Sequence, residues 1–334
     1  MNQPKQSPSV SAWLRSSVTF ALPLLIATDA ARCQTLNDFA SNRARLNGTR
    51  AEALTILGGD YGIMGATYSM DNFNDRDVDL NVFKFGNYGD LGVPRPIGDS
   101  RIAWQPRLLG NFGYSKAEQD FTQGFLAGDE DKYKTVAVEF GGGARFWFGD
   151  HLSLTPTIAG IYSHIENDYN ANSIFARKNY TAAENLGLIN WTANTWTVRP
   201  GVELAYVYTW RRNVFTFSSD FGYFYTESFA TSDSRIDFNG HSQTWKNKID
   251  ADVPLGIKLF GQELHSGGYF SRQELYGDIA SGLNTEYLYE VHGRLVMDFL
   301  GKFWKLKWLG IGGSYIWGHN IDGWSVGADA SFKF

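Results

Sequence analysis

The 334-residue chain has one cysteine, Cys33, and only nine prolines. A lone cysteine excludes a disulfide scaffold and any cysteine-built metal site. Beyond the first thirty residues no apolar run approaches the roughly 18 residues of a membrane-crossing helix, so a helical membrane bundle is excluded as well. The chain has no basic excess: 30 Lys and Arg stand against 35 Asp and Glu, a net charge of −5, and nucleic acid is not a predicted partner. Glycine and aromatics are plentiful instead, at 36 residues and 16%, which favours an aromatic-rich β protein.

The N-terminus reads as an export signal over residues 1–33. Lys5 and Arg15 supply positive charge, SVTFALPLLIATDAA an apolar core, and Ala31-Arg32-Cys33 a cleavage site before Gln34. Arg32 argues against lipoprotein processing at Cys33, and cleavage would leave no thiol. Removing this leader deepens the net charge to −7. A secreted chain of this size without disulfides needs another source of stability, and a closed barrel in a membrane is one.

The pattern over 196–210, WTVRPGVELAYVYTW, alternates with period two. Trp196, Val198, Val202, Leu204, Tyr206, Tyr208 and Trp210 share one face, and Arg199 and Glu203 share the other. Such a strand exceeds both the 5 or 6 residues usual in globular proteins and the 9 to 11 needed to cross a bilayer. Similar segments recur near 58–69, 76–86, 102–115, 134–148, 151–165, 213–227, 245–259, 264–277, 285–299, 303–318 and 322–334. The reading is an all-β, antiparallel up-and-down barrel of about twelve strands over 58–334. The stretch 264–277 alternates least clearly. A phase change among the glycines of 303–318 predicts a bulge.

Short turns at 148–151, 210–213, 259–264 and 299–303 alternate with longer connections, so the barrel's strands are expected to begin and end in the periplasm. The proline-bearing 87–101, NYGDLGVPRPIGDSR, breaks that rhythm. Residues 34–57 hold helix formers with Asn37 or Asp38 as a cap and Gly48 as a weak point, and are expected to form a helical segment.

The chain closes on GWSVGADASFKF, with Trp324, Val326, Ala328, Ala330, Phe332 and Phe334 on one face. This resembles the C-terminal signature that the barrel-assembly machinery reads in bacterial outer-membrane barrels. With a leader, a short helical segment and twelve strands, the chain resembles the solitary outer-membrane autotransporter β-barrel family, translocator domains without a passenger. The resemblance implies a Gram-negative outer-membrane location, a helical segment 34–57 that plugs the lumen, contact with lipopolysaccharide and periplasmic chaperones, and a monomer.

Alternation points a set of charges into the lumen: Arg107, Glu139, Arg145, Arg199, Glu203, Asp220, Lys248, Asp250, Asp252, Lys258, Glu290, Arg294 and Asp298. A charge facing lipid at the midplane costs about 2 to 4 kcal/mol, which forces them inward. Interspersed signs predict mutual pairing, a filling role first and a small-solute pore second. A hydrolase resembling the omptins is the third reading. Asp71, Asp75, Asp77 and Asp79 offer carboxylates for it, but the chain has no Asp-x-His, so no catalytic residue is assigned. His292 is placed in the lumen and His164 at the lipid interface. Neither the Asp71–Asp79 cluster nor Glu118, Asp120, Asp129, Glu130 and Asp131 has the glycine-punctuated spacing of a calcium loop, so both are read as solvated acidic loops. No metal or cofactor is expected.

Overall fold

The structure, a computed structural model, describes residues 41, 44–46, 48–57, 62–70, 78–121, 124–303 and 306–332. The leader, Asn37, Asp38, Asp71, Asp75, Asp77, Trp304 and Phe334 lie outside them. The strands are β1 (Ile63–Met70), β2 (Val78–Asp90), β3 (Arg95–Pro96), β4 (Ile102–Asp120), β5 (Glu130–Phe148), β6 (Leu152–Asn170), β7 (Thr192–Trp210), β8 (Asn213–Phe229), β9 (Asn239–Leu259), β10 (Gln262–Gly277), β11 (Tyr287–Phe303), β12 (Leu306–Gly318) and β13 (Asp322–Phe332). Three α-helices with described bounds accompany them: α1 (Arg50–Ile56), α2 (Ile174–Asn185) and α3 (Asp278–Leu283).

Apart from β2 and β3, sequential strands pair antiparallel; β2 pairs with β4 and β1 with β13, so the sheet closes into the expected twelve-strand barrel. The two-residue β3 is a side branch of β4 inside the connection that breaks the turn rhythm. That connection is shorter than its sequence suggests, because β2 continues to Asp90. At the same end, two-residue turns at Arg211-Arg212 and Phe260-Gly261 place Arg211 and Phe260 at positive φ, as tight hairpins require. The opposite end carries the long connections, with α2 between β6 and β7 and α3 between β10 and β11.

The two faces of each strand differ sharply. In β7, Trp196, Val202, Leu204, Tyr206, Tyr208 and Trp210 are 37 to 51% exposed, while Thr195 and Thr197 are buried. Phe140, Ile158 and Ile311 are more exposed still, and a belt of this extent has no place on a soluble protein. The aromatic rows at its edges include the stacked Tyr289, Trp317 and Tyr315 near the long-loop end. The weakly alternating 264–277 lies within a full strand, and the irregularity expected among the glycines of 303–318 falls ahead of them: register slips between Leu306 and Trp308 and then runs unbroken through Gly310, Gly312 and Gly313.

Several strands outrun their sequence signal. β4, β5, β6 and β9 extend into stretches read as loops, to Asp120, from Glu130, to Asn170 and from Asn239. The outer face there is polar or charged and the inner face is largely polar too, with Gln119, Asp131, Asn167 and Ser242, so no hydrophobic period marks them. Asp129 and Asp131 are not solvated, as the sequence reading had them. Both are buried: Asp129 accepts from Tyr169 Oη, Asn172 N, Ser173 N and Ser173 Oγ, and Asp131 from Tyr133 Oη and Asn167 Nδ2. These bonds offset the cost of burying a carboxylate and tie down the start of α2.

Candidate functional site: the barrel lumen

The long-loop half of the lumen is filled. Leu54 and Leu57, at and just after α1, join Ile279 and Leu283 of α3 in one buried cluster with Tyr68, Val82, Ile161, Ile165 and Phe224 of the wall. Isolated helices as short as these are unstable in water, so packing inside the wall is what maintains them. Helical residues precede α1 up to Gly48, and the chain turns at Thr49. Gly48 serves close approach, because a Cβ there would lie 2.2 Å from Cζ of Phe238.

The described chain enters from the long-loop end. Ser41 Oγ donates to Asp237 O at 2.7 Å, and Arg45 pairs with Asp278 at 3.2 Å, both partners lying between strands at that end. From there it runs through α1 into β1. Lys84 Nζ of β2 donates to Thr55 O at 3.2 Å, a cation placed where the helix leaves its carbonyls unpaired. Glu52 is fully buried, its Oε1 accepts from Thr226 Oγ1, and its Oε2 has no hydrogen-bond partner among the described residues. Thr226 in turn bonds Thr197, so a band of wall hydroxyls faces the helix.

The other half holds the charges. Arg107 of β4 pairs with Glu203 of β7 at 3.2 Å, and Arg145 of β5 bridges Asp90 at 2.6 Å and Glu203 at 3.4 Å. Arg199 pairs with Glu139 at 2.8 Å, and Asn111 Nδ2 donates to the other oxygen of Glu139 at 2.6 Å. Across the lumen, Arg294 of β11 makes two bonds of 2.8 Å to Asp250 of β9, lying over Gly267, which has no Cβ to obstruct it. Nearer the filled half, Glu290, opposite Ile316, accepts from Tyr269 Oη at 2.7 Å and pairs with Lys246 at 3.5 Å. The ion pairs among these link strands two or three apart, as the concave face of a barrel permits, whereas Asn111–Glu139 and Tyr269–Glu290 join neighbouring strands.

Asp252 accepts from His265 at 2.6 Å, a contact that sequence reading missed because the two residues sit on different strands. No hydroxyl hydrogen-bonds to that ring among the described residues. Lys248, Lys258, Asp220 and Asp298 belong to the same inward register, Lys258 opposite Glu263 and Asp298 opposite Trp308. His292 is buried and stacks on Tyr269 at 4.7 Å, while His164 is exposed beside Asn194. Trp324 and Val326 face outward, each more than half exposed.

No curated protein sequence matches the chain. Among solved structures, the β domain of the Bordetella autotransporter BrkA superposes with a TM-score of 0.51 at 14% identity, covering 82% of this chain and 99% of that one. The transport unit of the autotransporter AIDA-I from Escherichia coli gives 0.52 at 12% identity, covering 86% and 99%. At such identities the likeness is one of fold. The family model of the solitary outer membrane autotransporter β-barrel domain matches residues 95–327, well over half of the chain, and the protein belongs to that family.

Proposed function

We propose that the protein is a translocator-type outer-membrane barrel closed by its own N-terminal segment, with a structural or transport role and no catalytic one. The observation that carries this reading is α1 packed inside the wall, with the chain ahead of it reaching the external mouth at Asp237 and Asp278. In this reading export removes residues 1–33, and the barrel-assembly machinery engages the end of β13 that holds Trp324, Val326 and Phe332. The charges of the periplasmic half rigidify the wall. A second reading, passage of small solutes, draws on those same charges, because Arg107, Asp90 and Glu203 keep partial access to water.

Single-channel conductance of the refolded mature protein separates the two, measured beside a variant lacking residues 34 to 54. The sealed reading expects silence from the intact barrel and discrete steps from the truncated one. Steady conductance from the intact protein would sink it and leave the channel.

A further inference from the structure

Strands β4, β5 and β6 carry three rows of outward-facing residues past the row of Tyr114, Val136 and His164. Register sets Lys116 beside Lys134 and Glu166, then Glu118 beside Lys132 and Asp168, then Asp120 beside Glu130 and Asn170. Immediately below lie Phe112, Val138 and Phe140, exposed on the belt that meets lipid chains. These rows therefore stand at the headgroup level of the outer leaflet.

Like charges directly opposite on neighbouring strands repel, and Lys116 and Lys134 are such a pair. Each lysine turns to a carboxylate instead: Lys116 to Glu118 at 2.5 Å, Lys132 to Glu130 at 2.8 Å and Lys134 to Asp168 at 2.8 Å. Pairs this exposed are weak and exchangeable. Above them, Tyr180 of α2 and Asn190 complete a cavity of about 640 Å³ that the three lysines, Asp168 and Asn170 also line. Its roof is fixed: Asn190 Oδ1 accepts from Tyr169 N at 2.9 Å, and Asp129 holds the start of α2.

We infer that this cavity binds the phosphorylated sugar headgroup of an outer-leaflet glycolipid, together with divalent cations. The lysines supply compact charges for phosphoryl oxygens, and the Asn170 amide and the Tyr180 O–H supply partners for sugar hydroxyls, while Asn190, bonded to Tyr169, Tyr180 and Glu184, holds the roof. Carboxylates outnumber lysines in these rows, so a bare phosphate meets net negative charge. A phosphate that displaces Glu118 and Asp168 from the lysines frees oxygen ligands suited to magnesium or calcium, which then bridge headgroup and wall. The lipid source is favoured by the apolar belt that continues downward from the cavity. The inference rests on the outer-membrane location and is independent of whether α1 seals the lumen.

The test is native mass spectrometry of the full mature protein, extracted from vesicles of phosphatidylethanolamine with or without lipopolysaccharide, in magnesium or in chelator. The expected result is retained glycolipid in magnesium, with loss on chelation. The combined Lys116→Ala, Lys132→Ala, Lys134→Ala variant should retain about tenfold less, while Arg272→Ala on the far wall retains as much as the parent. Electrophoretic mobility of the unheated barrel verifies that each variant is folded. Equal retention by the triple variant and the parent overturns the site. Equally tight binding of inorganic phosphate or glucosamine 1-phosphate to detergent-solubilised parent overturns the lipid as ligand.

Discussion

Arg199→Ala is the sharpest probe of the lumenal charges. Glu139 is 2% exposed, and its two oxygens are held by Arg199 at 2.8 Å and Asn111 at 2.6 Å. Removing one partner of a buried pair costs about 3 to 5 kcal/mol, because the surviving charge keeps its desolvation penalty. The Asn111 bond survives and holds the loss towards the lower end, about 3 kcal/mol. The guanidinium also lies 5.3 Å from the ring centroid of buried Phe224, a contact worth up to about 1 kcal/mol more. The expected loss is therefore about 4 kcal/mol, read as a shift in urea unfolding of the barrel in vesicles. Arg212→Ala is the control, since Arg212 is 65% exposed beside Glu263 and should cost under about 1 kcal/mol. Replacing both members, Glu139→Leu with Arg199→Met, should recover most of the stability. If Arg199→Ala costs no more than Arg212→Ala, the lumen is wet enough to screen its charges and the filling role collapses.

Ile158, 61% exposed and central in the outer apolar face of β6, tests the belt: Ile158→Arg should cost about 2 to 4 kcal/mol in vesicle unfolding, and Glu166→Arg above the girdle at most about 1. Equal costs would mean that the lipid boundary is misplaced. In the external connection between β8 and β9, the side-chain bond from Arg235 holds the Asp233 carboxyl below its usual range. A depressed carboxylate stabilises above the ordinary aspartate value and loses that contribution as pH falls through its folded value. Pepsin cleavage of 230–238 should therefore rise steeply in strong acid, a rise that Asp233→Asn flattens by being cut readily throughout.

The membrane-crossing parts of the strands were legible because lipid outside and charge inside impose a strict period of two. Where β4 to β6 rise above the lipid, Lys116, Glu118, Lys132 and Asp168 face water as well, and the signal vanishes although the ladder continues. Helix α2 has a sequence trace of its own: Ser173 accepts from Ala176 N as an N-cap ahead of helix formers such as Ala176, Arg177 and Lys178. The inward side of Arg199 or Arg294 followed from alternation, but its partner did not. Glu139 and Asp250 lie two strands away, and only closure with its stagger decides which rows meet.

The seam between β1 and β13 has a kinetic meaning. It is a short ladder, from Ile63 opposite Ala328 to Ser69 opposite Asp322, whereas β4 and β5 match along all of Ile102 to Asp120. Its partners lie nearly the whole chain apart, so their meeting carries the largest loop-closure entropy among the described strand pairs and returns few bonds, seven residue pairs against nineteen for β4 and β5. The hairpins from β4 to β11 can zip locally and early, but the ring cannot complete until β13 arrives. Until then two unsatisfied strand edges stand open, so the chain is most vulnerable to misassociation just before its C-terminal strand is delivered.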